Sequence, residues 1–405
     1  MHSILNTSHL TFTGNFDTQA KAILAYIRMT QQEIEKLQLL FNDLQDIFGN
    51  TWKGSTLEVF GSIVTGLALR SSDVDCLVNL PPWLDMPRAS FVIEARKILR
   101  RNNRFQKIFA ITKAKVPIVQ FEYAPTRTRC DVSFSTRAAV VNSKLLEYLI
   151  FCDERILPFA ILVKYWSKIQ HFTGTNLMSS YSLILLVLFY LQQKHILPPI
   201  MAIQHNIQEH IVDNWNTAFE KTITKSNNNE SLYTLFGGFF KYYEGLNFKK
   251  HVISLYTGEL IDREKFSTLE SIPEEFYLYK KNVSKNISQP LRLDTTMCIQ
   301  DPFNHGRNCA VGIYFKLAQK IIGLFDRASV IYETEPESSF LRTLLYCEEI
   351  PRQNIPQRAN LTWNKSAKNH GIQKNHKHQL QNRQFKQRCK QLNQNTNKYH
   401  RNQWT

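Results

Sequence analysis

The sequence contains few cysteines, and none of them form a recognisable pair. The seven cysteines are an odd number without any C-x-x-C spacing; they lie at positions 76, 130, 152, 298, 309, 347 and 389. Disulfide-dependent secreted domains use even cysteine frameworks, and structural zinc sites use closely spaced pairs. The pattern therefore argues against both classes and favours a reducing compartment.

A long hydrophobic run and a basic leader are also missing. The longest apolar run, residues 183–191, has nine residues, whereas a membrane-spanning helix needs about 20. Residues 1–17 contain no Lys or Arg and no signal-peptide core. We therefore expect no membrane partner, no secretion and no mitochondrial import. Cytoplasm is the expected location, with the nucleus as the alternative.

The C-terminal part lacks acidic residues. Residues 357–405 contain eleven Lys or Arg and no Asp or Glu, so they carry most of the net charge of +16 and leave about +5 for the rest. Residues 351–405 are rich in Asn and Gln and poor in aliphatic side chains, which predicts a disordered basic tail. A basic excess attracts phosphate backbones, although such a tail could equally contact an acidic protein.

The remaining sequence has enough apolar residues for two domains. Its hydrophobic content is 43%, and apolar side chains recur at helical spacing over residues 20–48. Strand patterns alternate with one helical pattern over residues 51–136, and helical patterns dominate over residues 137–350. We predict an α+β fold, with an N-terminal helix over residues 1–50 that packs on the helical domain.

One stretch of the α/β part carries most of the chemical information. Gly61-Ser62 is followed by Gly66 and then by Asp73 and Asp75, in the pattern G-S-x-x-x-G-x-x-x-x-x-S-D-x-D. Glycine lets backbone N–H groups approach a ligand, and the serine hydroxyl can bind a phosphate oxygen. Two carboxylates at i and i+2 project from the same side of a strand and repel each other unless a cation lies between them. Mg²⁺ prefers such oxygen ligands.

This stretch resembles the signature of the DNA polymerase β-like nucleotidyltransferases, and more narrowly of the non-canonical poly(A) polymerases and terminal uridylyltransferases. The resemblance implies a nucleotidyltransferase palm with a mixed sheet, over residues 51–136, and a mostly helical poly(A)-polymerase-associated domain over residues 137–350. It also implies a third carboxylate on a neighbouring strand, for which Asp131 has the matching position. Asp73, Asp75 and Asp131 would be the catalytic residues and would hold two Mg²⁺ or Mn²⁺ ions.

Further matches to the family lie in the helical part. Asn142-Ser143 stands where the family usually has Asn-Thr at the sugar of the nucleotide, and it would also suit a helix N-cap before residue 144. Lys164 and Lys168 are one helical turn apart, so their charges repel, and an anion such as a triphosphate would relieve this; solvated surface lysines are the alternative.

The start of the most apolar helix also matches the family. Ser180-Tyr181 resembles the family's S-S-Y-G pattern, with Ser182 in place of Gly. Ser180, at a helix N-terminus, would bind a phosphate oxygen. Tyr181 would stack on the base with little base preference, and a core tyrosine is the alternative.

The segment 300–308 resembles the base-recognition loop of uridylyltransferases, D-P-F-E-x-x-H-N. Asn304 replaces the acid, and Arg307 stands where the uracil-reading His would be. Arginine only donates hydrogen bonds and suits O4 of uracil, whereas Asp301 accepts and would suit N3–H. This favours UTP over ATP, although Arg307 could still reach N7 of adenine.

The predicted function is therefore template-independent addition of UMP from UTP to RNA 3′ ends by two-metal-ion catalysis. The alternatives are addition of AMP from ATP by the same site, and a catalytically dead RNA-binding adaptor, which the three carboxylates disfavour. We expect RNA 3′ ends as the partner, and no DNA. Because the sequence has no recognisable RNA-recognition module, RNA choice would come from the tail, the cleft between domains or a partner protein.

Overall fold

The computed structural model describes residues 4–222 and 225–345. The helices of the chain are α1 Phe16–Ile27, α2 Gln31–Thr51, α3 Arg88–Leu99, α4 Ala138–Phe151, α5 Ile156–Ile169, α6 Ser180–Gln193, α7 Ile200–Ile203, α8 Leu232–Glu244, α9 Tyr277–Ser284, α10 Phe315–Thr334 and α11 Glu337–Leu345. The strands are β1 Thr56–Phe60, β2 Val74–Asn79, β3 Phe105–Ile111, β4 Ile118–Tyr123, β5 Thr128–Ser133, β6 Ile211–Val212, β7 Trp215–Asn216, β8 His251–Ser254, β9 Glu259–Asp262 and β10 Ile299–Gln300. The prediction of an α+β fold is confirmed.

The first five strands form one mixed sheet in the order β1-β2-β5-β4-β3. β2 and β5 run parallel, and the other neighbouring strands run antiparallel. Alternate side chains of β2, β4 and β5 are buried with apolar residues of α2 and α3, so these helices cover one face of the sheet. The opposite face carries the polar side chains of the central strands, because successive residues of a strand point to opposite sides.

The helical part has its own, larger core. α5 and α6 are buried along almost their whole length, and the buried faces of α1, α4, α8, α10 and α11 pack against them. Trp166 on α5 contacts the rings of Phe240 on α8 and Phe325 on α10, with centroids 4.8 and 5.8 Å apart. Trp166 is therefore a central residue of this core. α8 approaches α10 closely because Gly237 leaves room for Tyr332, whose Cδ2 would lie 2.0 Å from a Cβ at that position.

A small sheet in the helical part was not predicted. β10, β8 and β9 form it, with β10 and β8 parallel. Buried side chains from this sheet and from α9 make a third core. Residue 301, where the predicted base-recognition loop begins, directly follows β10, so this sheet fixes the start of that loop.

The prediction of one N-terminal helix over residues 20–48 is wrong. The helix is interrupted at Thr30, because its hydroxyl accepts from the Glu33 N–H while the Glu33 carboxylate accepts from the Thr30 N–H. Such a capping box starts a new helix. α1 packs on the helical core as predicted for residues 1–50, but α2 packs on the sheet instead.

Two further expectations concern the C-terminal tail and membrane-spanning helices. The predicted tail over residues 351–405 lies outside the described residues. Among the residues that the structure describes, no helix has the length and apolarity needed to cross a membrane.

Candidate active site

The turn after β1 places Gly61 directly beside a carboxylate. Gly61 has a φ of +73°, and a Cβ at this position would lie 2.5 Å from Oδ2 of Asp75. Only glycine fits both the backbone conformation and this contact. The Gly61 N–H donates to Oγ of Ser143 at 2.9 Å, so the turn is fixed to α4.

Asp75 and Asp131 lie side by side on the central parallel strands. They are register partners of β2 and β5, and Asp131 Oδ1 accepts from Nε2 of Gln120 on β4 at 2.9 Å. Burial and the charges of Asp131 and Asp73 together raise the pKa of Asp75 to about 7, against the opposing charge of Lys164. Burial also raises the pKa of Asp131. Two such carboxylates favour a cation between them, because it relieves the repulsion between their negative charges.

Asp73 forms an ion pair with an arginine of the protein. It lies one residue before β2, and its Oδ1 is 2.8 Å from Nε of Arg129. Within residues 4–222 and 225–345, no three acidic, His or Cys side chains are arranged as a closed metal site. The donor set fits a hard divalent ion, because all three groups are carboxylates and two of them have raised pKa values. Asp73 would have to leave Arg129 to join them.

Lys164 and Lys168 differ in their surroundings. Lys164 is buried, and its Nζ donates to the carbonyl oxygen of Leu67 at 2.8 Å. Burial and the charge of Lys168 together lower its pKa to about 7, against the opposing charges of Asp75 and Asp73. In the described part of the chain, no hydrogen bond or ion pair reaches the ammonium of Lys168, whose pKa burial also lowers. Lys168 is therefore the lysine available for an anion.

A second polar cluster surrounds Asp301. Its Oδ1 accepts from the backbone N–H groups of Phe303 and Asn304 at 3.1 and 3.0 Å. Its Oδ2 accepts from Nδ2 of Asn142 and from the Tyr181 hydroxyl, each at 3.2 Å, and from Arg307 Nη1 at 3.4 Å. Asp301 is buried and both its oxygens already have protein donors, so its contact with N3–H of uracil stays a prediction that requires one of these donors to move.

Arg307 and Tyr181 form the accessible part of this cluster. The Arg307 guanidinium lies 5.7 Å from the Tyr181 ring centroid, and 46% of its side chain is exposed. Since Asp301 engages only one of its nitrogens closely, the other donors remain available. Asn304 Oδ1 is buried, and no described residue donates to it.

The serines of the predicted site are held by local geometry. Ser179 caps α6, accepting from the Ser182 N–H at 3.0 Å, so Ser180 is the first residue of this helix. Ser182 is buried, and its hydroxyl donates to the carbonyl oxygen of Cys309 at 2.8 Å. Ser182 therefore fixes α6 to the end of the base-recognition loop. Ser62 follows Gly61 on the turn and is partly exposed.

α4 joins the two clusters. Ser143 accepts from the Gly61 turn, while the adjacent Asn142 donates to Asp301. Both residues lie in the second turn of α4, which begins at Ala138, so the alternative that Ser143 caps a helix is wrong. α4 therefore connects the Gly61 turn, which touches Asp75, with the Asp301 cluster. A cavity of about 820 Å³ lies elsewhere, at the other end of α6, and contains none of these residues.

Comparison with known families gives an independent view of the chain. Residues 16–150 match the family described as "Poly(A) RNA polymerase, mitochondrial-like, central palm domain", and residues 231–307 match "Cid1 family poly A polymerase". The chain belongs to the family of non-canonical poly(A) polymerases and terminal uridylyltransferases. The resemblance predicted from the motifs is thus confirmed.

The curated relatives of this family include both kinds of enzyme. Human terminal uridylyltransferase 7 is 27% identical over 70% of this chain and 18% of its own length. The speckle targeted PIP5K1A-regulated poly(A) polymerase of Danio rerio is 24% identical over 72% of this chain and 42% of its own length. The chain thus spans less than half of these relatives.

Solved structures of the family share the fold. One of the Cid1 poly(U) polymerase with magnesium and 3′-dATP has a TM-score of 0.67 at 23% identity, covering 82% of this chain and 98% of that one. One of mtPAP with UTP has a TM-score of 0.70 at 18% identity, covering 84% and 73%. Fold and family therefore agree, while the roles of individual residues stay predictions.

Sequence reasoning missed three groups at the site. Gln120 holds Asp131, Arg129 pairs with Asp73, and Ser182 ties α6 to residue 309. The alternation of β4 and β5 could have placed Gln120 and Arg129 on the carboxylate face. No sequence signal separates Ser182 from an ordinary helix serine.

Proposed function

We propose that this protein transfers UMP from UTP to the 3′ end of RNA without a template. The observation that carries the proposal is the role of α4, whose Ser143 holds the Gly61 turn beside Asp75 and whose Asn142 holds Asp301. A nucleotidyltransferase needs its two sites tied together in this way, because the triphosphate must reach the carboxylates while the base is held at a fixed distance.

The carboxylates suit two Mg²⁺ or Mn²⁺ ions held by Asp73, Asp75 and Asp131. When bound, such ions supply charge stabilisation of the attacking and leaving oxygens. Asp131 would receive the proton of the RNA 3′-hydroxyl on Oδ2, since Gln120 occupies Oδ1. Gly61 and Ser62 would hold the triphosphate from the turn.

The α5 lysines have separate tasks in this proposal. Lys168 would bind a phosphate, together with Ser180, because its ammonium has no hydrogen-bond or ion-pair partner among the described residues. Lys164 would instead hold the Leu67 carbonyl and face Asp75. Its substitution would therefore disturb the backbone at Leu67 more than it would lower nucleotide affinity.

Base choice depends on Arg307 in our proposal. Tyr181 offers a face for stacking, and the exposed guanidinium of Arg307 offers donors that suit O4 of uracil. The exocyclic amine of adenine also donates, so it would oppose Arg307. Asn142 and Ser143 would lie at the sugar, but their protein partners give them a positioning role as well.

The second candidate is a poly(A) polymerase with the same site. The match of residues 16–150 to a poly(A) RNA polymerase family favours it, and Arg307 could donate to N7 of adenine.

A primer-extension assay separates the candidates. Purified full-length protein receives a labelled single-stranded RNA, Mg²⁺ or Mn²⁺, and one nucleoside triphosphate at a time, beside Asp75→Ala. We expect extension with UTP that Asp75→Ala lacks, and a loss of preference for UTP over ATP in Arg307→Ala. Extension with ATP alone would establish the second candidate. Equal extension by wild type and Asp75→Ala would overturn the assigned site.

A further inference from the structure

The carboxylate row of the sheet continues to an exposed aromatic residue. Phe109 on edge strand β3 is paired in register with Gln120 on β4. Gln120 is paired in turn with Asp131 on β5, and Asp131 with Asp75 on β2. Directly paired residues project from the same face of a sheet. The hydrogen bond from Gln120 to Asp131 shows this for the middle pair. Phe109 therefore stands on the catalytic face, two strands from Asp131, or roughly 10 Å.

Phe109 belongs to an apolar strip that the protein leaves uncovered. The next residue along β3 pairs with Val119, which is buried in the core on the other face. Phe109 is 58% exposed, and Ile111 and the nearby Val116 are 38% and 48% exposed. We call these three residues the edge strip. Exposed apolar side chains on an edge strand invite association, so they are expected where a ligand covers them.

Positive charge surrounds the edge strip. Lys113 and Lys115 lie in the turn between β3 and β4, and both are exposed. Arg129, opposite Glu122 and two residues before Asp131, lies on the same face on the other side of the row that joins Phe109 to Asp131, where it pairs with Asp73. Aromatic faces interleaved with cations are the pattern of single-stranded nucleic-acid surfaces. A second copy of the chain would instead bring like charges together.

We propose that Phe109 is a stacking platform for a base of single-stranded RNA upstream of the reacting 3′ end, and that Lys113 and Lys115 hold the adjoining phosphates. This inference rests on the proposed function for its direction along the RNA. The spacing of about two strands from Asp131 leaves room for the terminal nucleotide between the platform and the carboxylates.

RNA affinity measured without catalysis tests the platform. Fluorescence anisotropy of a labelled 15-nucleotide oligo(A) or oligo(U) is followed in EDTA without nucleotide, using full-length protein. We expect Phe109→Ala to weaken both RNAs about tenfold or more, because stacking is indifferent to the base. Phe109→Trp should retain binding. Trp83→Ala is the matched control, since Trp83 is 73% exposed outside this row.

Kinetics and oligomeric state complete the test. With active wild-type protein, Phe109→Ala should raise KM for RNA and leave KM for the nucleotide unchanged. Unchanged RNA affinity in Phe109→Ala would overturn the platform while the proposed function stood. A monomer–dimer shift caused by Phe109→Ala, measured by light scattering, would assign the strip to a second copy and also overturn it. Phe109-dependent RNA binding by a protein that transfers no nucleotide would support the surface and refute the proposed function.

Discussion

At the residue scale, the pair of Arg129 and Asp73 decides how the site meets a metal ion. Arg129 holds Asp73 at 2.8 Å, and Asp73 lies next to two carboxylates that repel each other. The guanidinium thus neutralises a group that the proposed metal site needs. A divalent ion has to compete with Arg129 for Asp73, so the arginine lowers the metal affinity of the free protein.

Arg129→Gln should therefore bind Mn²⁺ more tightly, by about threefold to tenfold, because an exposed ion pair of this kind is worth roughly 1 kcal/mol. Isothermal titration in the absence of nucleotide measures it. Lys107→Gln is the control, since Lys107 pairs with Glu122 on the same sheet and makes no contact with Asp73. Equal tightening in both variants would attribute the effect to net charge alone.

The raised pKa of Asp75 gives a pH-dependent stability. Its pKa rises from 3.8 to about 7 in the folded protein, so between pH 4 and 7 the folded state keeps a proton that the unfolded state has released. The free energy of unfolding therefore falls as pH rises through this window. Asp75→Asn removes the penalty and should stabilise the metal-free protein at pH 8 by on the order of 2 kcal/mol.

Thermal unfolding in EDTA at pH 4.5 and pH 8 measures this. We expect the Asp75→Asn advantage at pH 8 to shrink at pH 4.5. Glu58→Gln on β1 is the control with the opposite sign. Burial opposes its ionisation, but hydrogen bonds from Asn79 and Arg137 and the charge of Arg137 lower its pKa. A pH-independent gain in Asp75→Asn would show that the ionisation of Asp75 is not its cause.

Individual residues were predictable to different degrees. Asp75 follows from the motif and Asp131 from the resemblance to the family, and the structure pairs them on adjacent strands. The saturation of Asp301 did not follow, since its donors come from α4, α6 and its own loop. A sequence shows that a carboxylate can accept hydrogen bonds, but only the packing shows which donors reach it.

At the element scale, α4 positions the site, and Ser143 is the contact that tests it. Ser143→Ala leaves the Gly61 N–H without its acceptor, which should cost about 1–2 kcal/mol of stability and reduce nucleotide transfer. Ser143→Thr keeps the hydroxyl and should retain both. Chemical denaturation and primer extension measure these effects. Wild-type behaviour in Ser143→Ala would show that the turn does not depend on α4.

The elements that sequence reasoning found are those with a long, uninterrupted apolar pattern. α5, α6 and the strands of the large sheet have continuous apolar patterns, and they lie in the ranges predicted for helices and strands, residues 137–350 and 51–136. The boundary at Thr30 was missed because the apolar spacing continues across it. Thr30 and Glu33 do have the three-residue spacing of a capping box, which signals the start of a helix. β10 has two residues, which are too few to show alternation.

At the scale of the whole molecule, the charge is unevenly divided. Eleven Lys or Arg lie in residues 357–405 without an acid, and the site described above lies entirely outside that segment. Edge-strip contacts are short-range and apolar, whereas the basic segment would act through phosphate charge. The two should therefore differ in their response to salt, because counterion release makes only the charge contribution salt-dependent.

Deletion of residues 357–405 should lower RNA affinity at low salt and flatten the slope of log affinity against log salt, while transfer at saturating RNA persists. A chain with the eleven basic residues changed to Gln is the control for length, and it should behave like the deletion. Phe109→Ala should instead shift the line downward with its slope unchanged. Loss of transfer at saturating RNA in the deletion alone, and not in the Gln variant, would mean that residues 357–405 contribute to the catalytic fold through contacts other than charge.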